Sequence, residues 1–459
     1  GAGNDTATTG TGSDTVLTWG GDDSITINGS GNKTIDGGAG TDSLTINYSG
    51  VSNLSNFTIA KSGGFKTLTN SNDEVIQFKN IENLTVGNIA YTDTNSGAAG
   101  YVVQNGYVNT AQRTLFLYDG GNLSTASAHQ FEQIFGTKTS TITGNYTITG
   151  SNSADTLNLN VSYRSTGSNV ESFTGGWIVD LGAGNDTINS AKLKNGDSIN
   201  MGAGDDTMYV MVSGSNGTPS LSSLNMTLLD GGTGTDTLAF EESTVANGTT
   251  LNLTTGGATN FENLRGSASN ETLNGDANAN VLSGVGGNDT LNGLGGNDIL
   301  YANAANGGAA SSDSGTDNLY GGAGDDQLFG SAGENILDGG TGSDTLTGGN
   351  GSDTFVLRKN DSDASASAAD IITDFVDGTD VFGLVSDLTF DDLTIAQSDG
   401  SAVSSSHTII SRTGEVMAVV QNTSASNITA LDFSSTSTSA LTLTGDSTDN
   451  TLIGGAGND

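Results

Sequence analysis

The residues of this chain best suited to chemistry are acids at a fixed spacing. Asp317, Asp326, Asn335, Asp344 and Asp353 stand nine residues apart. Ahead of an insertion at roughly Ala302 to Ser311, Glu271, Asn280, Asp289 and Asp298 keep the same beat. A run near the start reads Asp5, Asp14, Asp23, Lys33 and Asp42, with one slip of a residue, and a looser set is Asp155, Asp186, Asp197, Asp206 and Asp236. If successive turns of chain stack, these carboxylates lie beside one another. Like charges that close repel by about 1–4 kcal/mol per pair, depending on the dielectric, so the series calls for a cation between turns. The chain has no Cys and two His, which disfavours zinc and copper. Ca²⁺ fits best, because it takes about six to eight hard oxygens in flexible geometry, where Mg²⁺ demands an octahedron and keeps its waters.

The element that must position these acids is a nonapeptide. Gly321-Gly-Ala-Gly-Asp-Asp-Gln-Leu-Phe329, Gly339-Gly-Thr-Gly-Ser-Asp-Thr-Leu-Thr347 and Gly348-Gly-Asn-Gly-Ser-Asp-Thr-Phe-Val356 each read G-G-x-G-x-D-x-U-x, with U a large apolar residue. Gly at positions 1, 2 and 4 predicts positive φ and a tight turn. The x-U-x tail is too short for a helix and favours a strand. Its apolar residue recurs as Leu282, Leu291, Leu300, Leu319, Leu328, Leu337, Leu346 and Phe355. One inward side chain per strand suits a thin core between two flat parallel faces. Two nonapeptides then make one coil, with strands about 4.8 Å apart.

This pattern resembles the RTX (repeats-in-toxin) calcium-binding proteins. The resemblance implies an all-β chain of calcium-stabilised parallel β-roll blocks, interrupted by small β-rich insertions. It assigns metal-binding roles to Asp289, Asp298, Asp317, Asp326, Asp344 and Asp353, and next to Asp5, Asp14, Asp23, Asp42, Asp186, Asp206 and Asp236. Glu271, Asn280, Asn335 and Lys33 depart from the motif. Their turns are expected to hold calcium weakly or not at all, with the Lys33 ammonium neutralising neighbouring Asp instead. Extracellular calcium modules bind with Kd on the order of 0.1 mM. At about 1 mM calcium each site then contributes roughly 1.4 kcal/mol. Ten such sites equal the stability of a typical domain, about 14 kcal/mol, so the repeat blocks are expected to order with calcium and unfold without it.

The beat divides the chain into a repeat block at 1–45, a β-rich insertion at 46–140, an irregular block at 141–240, a connector at 241–265, the main block at 266–356, a β-rich cap at 357–442 and a further block from 443. The insertion is expected to carry one short helix, Ser127 to Phe135: Ser127 and Gln130 have capping-box spacing and Gly136 can end it. Thr141 to Thr149 alternates as a strand. Ile81-Glu-Asn-Leu84 and Phe261-Glu-Asn-Leu264 look like the junctions that lead into or out of RTX blocks. Asp370-Ile-Ile-Thr-Asp-Phe-Val-Asp-Gly-Thr-Asp-Val-Phe382 looks like the segment that closes the roll in secreted serralysin-type proteins. Both ends fall inside a nonapeptide, which predicts a longer polypeptide.

Composition narrows the function. With 13 Lys+Arg against 51 Asp+Glu the 459-residue chain carries −38, the wrong field for nucleic acid. There is no apolar run long enough for a membrane-spanning helix. Catalytic motifs are missing: His129-Gln-Phe-Glu-Gln133 lacks the second His of H-E-x-x-H, and no G-x-S-x-G occurs. His129 and His407 read as ordinary surface or turn residues. Trp19 and Trp177 read as packing before sugar contact. The expectation is a non-enzymatic, extracellular structural protein of a bacterial cell surface, exported by a type I route as the resemblance implies. It would assemble with copies of itself into an S-layer-like lattice, with cell-surface polysaccharide as a second partner class. The alternative is a calcium-rigidified spacer or secretion module of an RTX adhesin or secreted enzyme.

Overall fold

The computed structural model describes residues 1–93, 101–109, 114–125, 141–142, 146–159, 165–166, 169–170, 172–173, 176–193, 196–211, 226, 228–240, 245–303, 315–359, 365–385 and 388–435. The expected helix at Ser127–Phe135 lies outside them. Among the described residues every regular element is a strand or a single 3-10 turn. The chain forms two compact units, Gly1–Thr237 with Gly256–Phe261, and Leu238–Thr255 with Glu262–Asp459.

The second unit contains the strictest repeats. One face stacks Glu271–Asn274, Thr290–Gly295, Asn318–Ala323, Ile336–Thr341 and Thr354–Leu357 in parallel. The other stacks Val281–Ser283, Ile299–Tyr301, Gln327–Ala332 and Thr345–Asn350. The register superposes the eighth positions: Leu291 on Leu319 on Leu337 on Phe355, and Leu282 on Leu300 on Leu328 on Leu346. All of these are at most 1% exposed. A strand alternates sides with each residue, so an x-U-x tail buries U and presents both neighbours outward. The core is thin, one side chain worth about 2 kcal/mol for every nine residues ordered. The insertion near Ala302 leaves the register intact, since Thr290 still pairs with Asn318 and Ile299 with Gln327.

Past Val356 both faces continue without the nonapeptide. Asp370–Ile372 and then Glu415–Val420 extend one face, with Thr408–Arg412 and Thr394–Gln397 added antiparallel. Val381–Leu384 and Phe433–Ser435 extend the other. Phe375 stacks on Phe382 with centroids 4.5 Å apart, and Phe382 on Phe433 at 5.0 Å. These rings cover the apolar end that a solenoid would otherwise expose.

In the first unit the nonapeptide spelling breaks off near residue 45 and returns ahead of Asp186, Asp206 and Asp236, yet the first roll runs on past residue 45. Thr6–Thr9, Ser24–Ile27, Ser43–Ile46 and Asn83–Val86 form one parallel face. Asp14–Leu17, Lys33–Asp36 and Val75–Lys79 form the other. The alternation of Val75-Ile-Gln-Phe78 turns Ile76 and Phe78 inward, at 1% and 0% exposure, so this rung needs no glycine turn to be recognised by the core. The hairpin Phe57–Ser62 with Phe65–Asn70 adds antiparallel strands to that face. Farther on, Tyr146–Thr149, Trp177–Asp180, Ser198–Asn200 and Leu229–Asp230 stack in parallel. Thr156–Asn158, Thr187–Lys192 and Thr207–Met211 do the same.

Candidate metal centres

The sixth position lies where the turn delivers the chain into a strand, and it opens the strand at Asp14, Lys33 and Glu271. Its carboxylate reaches back one coil. Oδ1 of Asp344 accepts the backbone N–H of Asp326 at 2.8 Å, and Oδ1 of Asp326 accepts that of Asp298 at 2.7 Å. On the other edge Asp353 accepts from Asn335, Asn335 from Asp317, Asp317 from Asp289 and Asp289 from Glu271. In the first unit the same bond links Asp23 to Asp5, Asp42 to Asp23, Asp186 to Asp155, Asp206 to Asp186 and Asp236 to Asp206. The sequence separation of bonded partners runs from 18 to 31 residues across these pairs. The ladder therefore follows coil geometry, and loops absorb the extra length.

A second ladder runs the opposite way and was not foreseen. The fifth-position side chain accepts the fifth-position N–H of the next coil: Asn297 from Asp325 and Asp325 from Ser343, both at 3.0 Å, and Asn185 from Asp205 at 3.1 Å. Asn or Asp at position 5 is its sequence signal.

The second carboxylate oxygen is left bare. Oδ2 of Asp23, Asp42, Asp186, Asp206, Asp298, Asp326, Asp344 and Asp353 is buried with no hydrogen-bond partner, an arrangement that costs free energy unless something compensates it. A Cβ on Gly293 would strike both Asp298 Oδ2 and the carbonyl oxygen of Gly321, one coil on; a Cβ on Gly321 would strike Asp326 Oδ2 and Gly339 O. The space beside position 1 is thus lined by a carboxylate and a main-chain carbonyl from successive coils. This corrects the expected role of the glycines. Positions 2 and 4 have positive φ, as at Gly340 (103°) and Gly342 (140°). Position 1 does not; its glycine keeps the cradle open.

Burial pushes the carboxyls of Asp186, Asp298, Asp344 and Asp353 up, with neighbouring acids adding to the shift and the ladder N–H opposing it. Asp186 rises to about 8, Asp344 to about 7, and Asp298 and Asp353 to about 6. Asp42, Asp206 and Asp326 move the same way for the same first cause. Without a cation Asp186 and Asp344 resist full ionisation at neutral pH.

Of the thirteen aspartates singled out, Asp23, Asp42, Asp186, Asp206, Asp236, Asp289, Asp298, Asp317, Asp326, Asp344 and Asp353 are at most 2% exposed. Asp5 and Asp14 are half-buried. Three further acids join the ladders. Glu82 accepts the N–H of Asp42, Asp370 that of Asp344, and Asp380 that of Asp353. Glu82 and Asp380 each stand at the threshold of a strand and Asp370 opens one, which is the signal a sixth position leaves when the glycines are gone. At the departures, nitrogen donors face the oxygens. Asn280 Nδ2 donates to Glu262 O at 2.9 Å and Asn335 Nδ2 to Gly333 O at 3.5 Å. Glu271 is held by the backbone N–H and hydroxyl of Ser267.

Among the described residues no three His, Asp or Glu side chains converge as in a compact metal cluster. That is the expected outcome when each turn contributes one carboxylate and the backbone contributes the rest. Trp177 is 2% exposed and packs on Tyr146, ring centroids 5.4 Å apart, whereas Trp19 is 76% exposed. His407 accepts the N–H of Asn422 in a turn; His129 lies outside the described residues. No described helix is long and apolar enough to cross a membrane.

A model of the RTX calcium-binding nonapeptide repeat (four copies) matches residues 1–26, 265–300, 274–307, 311–346, 329–358 and 442–459. No curated protein sequence matches. Among solved structures the chain is similar to an extracellular lipase of Serratia marcescens at 12% identity and a TM-score of 0.19, covering 94% of this chain and 38% of the lipase. With its acid ladders, glycine turns and leucine rows, the chain carries RTX calcium-binding nonapeptide repeats in the segments that this model matches.

Proposed function

We propose that this is a secreted, calcium-binding structural protein of a bacterial cell surface, ordered by calcium and then assembling with copies of itself into a coat. The observation that carries the reading is the row of buried, hydrogen-bond-free carboxylate oxygens, those of Asp42, Asp298 and Asp326 each beside a main-chain carbonyl from the adjoining coil. Asp289, Asp298, Asp317, Asp326, Asp344 and Asp353 would hold ions in the main block, with Asp370 and Asp380 closing its two edges. Asp23, Asp42, Asp186, Asp206 and Asp236 would do so in the first unit, and Asp5 more weakly because it is half-buried. Calcium, when bound, supplies two positive charges and accepts mixed carboxylate and carbonyl oxygens. The ladder N–H groups fix Oδ1, so Oδ2 is aimed before an ion arrives. At Gly37, Gly293, Gly321, Gly339 and Gly348 the position-1 glycine keeps a side chain out of its path.

The low calcium of a cytosol would leave the −38 chain extended by its own repulsion. Export followed by folding is then driven by the calcium gradient. Support for a structural role is that the repeat rungs, the hairpin and the cap all extend two faces of rolls. Acid left outside the ladders would be available for calcium bridges between copies, with polysaccharide as a second contact.

The test is a calcium titration of the chain with chelator reversal, followed by circular dichroism and light scattering together. Cooperative gain of β signal near millimolar calcium with growth into ordered particles supports the coat. Folding without association moves the reading to a spacer or secretion module of an adhesin or enzyme.

A further inference from the structure

One turn of the first roll solves the charge problem differently. Lys33 occupies a sixth position, and it is among the largest fully buried side chains, 1% exposed. It pairs directly with Asp14 across the parallel strands. Its Nζ lies 3.3 Å from Asp14 Oδ2, donates to Ser30 O at 3.1 Å and Gly31 O at 3.3 Å, and contacts Gly12 O. The ammonium thus sits among one sixth-position carboxylate and three turn carbonyls drawn from two successive coils. That is the donor chemistry found beside Asp298 and Asp326, where the carboxylate oxygen has no partner. Gly31 O stands two residues before the sixth position, as Gly333 O does where Asn335 donates its amide. The next rung on this edge places Ile76 beside Lys33, so no further acid extends the row.

Building on the calcium reading above, we propose that the Lys33 ammonium is a tethered cation standing in for calcium, so that the Asp14–Lys33 turn binds no calcium and keeps its order at calcium levels too low for the all-aspartate turns. The chemistry is substitution of a fixed charge for a diffusible one. A buried ammonium is tolerated when paired and hydrogen-bonded, and here four oxygens surround its three protons. The donors come from coils at both sides, so Lys33 fastens the two rungs as an ion would. Its position makes one edge of the first roll independent of the medium while the opposite edge, Asp5–Asp23–Asp42, is not.

The experiment compares the full chain with its Lys33→Asp and Lys33→Met variants, counting bound Ca²⁺ per chain by equilibrium dialysis. Lys33→Asp is expected to bind one more ion than the original chain and Lys33→Met no more. Equal, non-zero counts for the original and Lys33→Asp would overturn the assignment while leaving the calcium reading standing. No bound calcium in the original chain would overturn both. Should Lys33→Asp fail to fold, amide exchange of the unaltered chain decides. The N–H of Gly12 and Asp14, bonded to Ser30 O and Asn32 O, should stay protected to at least severalfold lower calcium than those of Asp298 and Asp326. A shared midpoint would overturn the proposal.

Discussion

The Asp344 turn and the Lys33 turn have the same backbone task and opposite solutions. At Asp344 a buried carboxylate takes one ladder N–H with Oδ1 and leaves Oδ2 bare. At Lys33 the side chain is itself the cation, and Asp14 turns its N–H to a main-chain carbonyl, Asn32 O, instead of to an acid. The contrast teaches that the roll needs positive charge between coils and is indifferent to its source. In the proposed account the main block takes that charge from solution and is conditional on it; the Lys33 edge carries its own.

Removing calcium is the largest blow to that comparison. In chelator at neutral pH the main block should lose most of its β signal by circular dichroism. Second comes the cradle. Gly339→Ala places a methyl against Asp344 Oδ2 and should cost about 2–3 kcal/mol by overpacking, read from denaturant unfolding in calcium. Third, Asp344→Asn keeps an Oδ1 acceptor and removes the charge. In calcium it should cost about 1–2 kcal/mol for one site; in chelator the sign should reverse, because the buried charge is gone.

Acid should sharpen the comparison further. The metal-free fold binds protons more tightly than the unfolded chain, since burial raises Asp344 to about 7 and Asp186 to about 8 from 3.8. Metal-free stability must therefore rise as pH falls from about 8 toward 4 and fall again on the way back. Chelated protein should regain β signal near pH 5, and the calcium midpoint should move to higher concentration there. The smallest effect concerns Leu294, a position-2 residue 57% exposed with φ of 78°. Leu294→Gly should stabilise by about 1 kcal/mol or less, by relieving left-handed strain.

What was legible in the sequence was whatever the period wrote twice. The sixth-position acids and eighth-position leucines recur at fixed offsets, so the coil, the two faces and the buried leucine rows followed. Rungs without glycine turns were harder. Val75–Lys79 and Asn83–Val86 belong to the first roll, yet their signal is a two-residue alternation shared by any half-buried strand. Asp370 and Asp380 continue the ladders across 26 and 27 residues, a spacing no nine-residue beat predicts. Position 1 was misread because sequence shows that glycine is needed but not whether for φ or for room. Lys33 was legible as a charge that could neutralise a neighbouring Asp; its burial and its carbonyl partners were not.

The most direct test of the account is amide hydrogen exchange across the main block at neutral pH, in millimolar calcium and in chelator. The account predicts strong protection of the N–H groups of Asp298, Asp326 and Asn335 with calcium and its loss in chelator. Equal protection in both would show that the buried carboxylate row is stable without a cation, contradicting the claim that calcium holds the roll together.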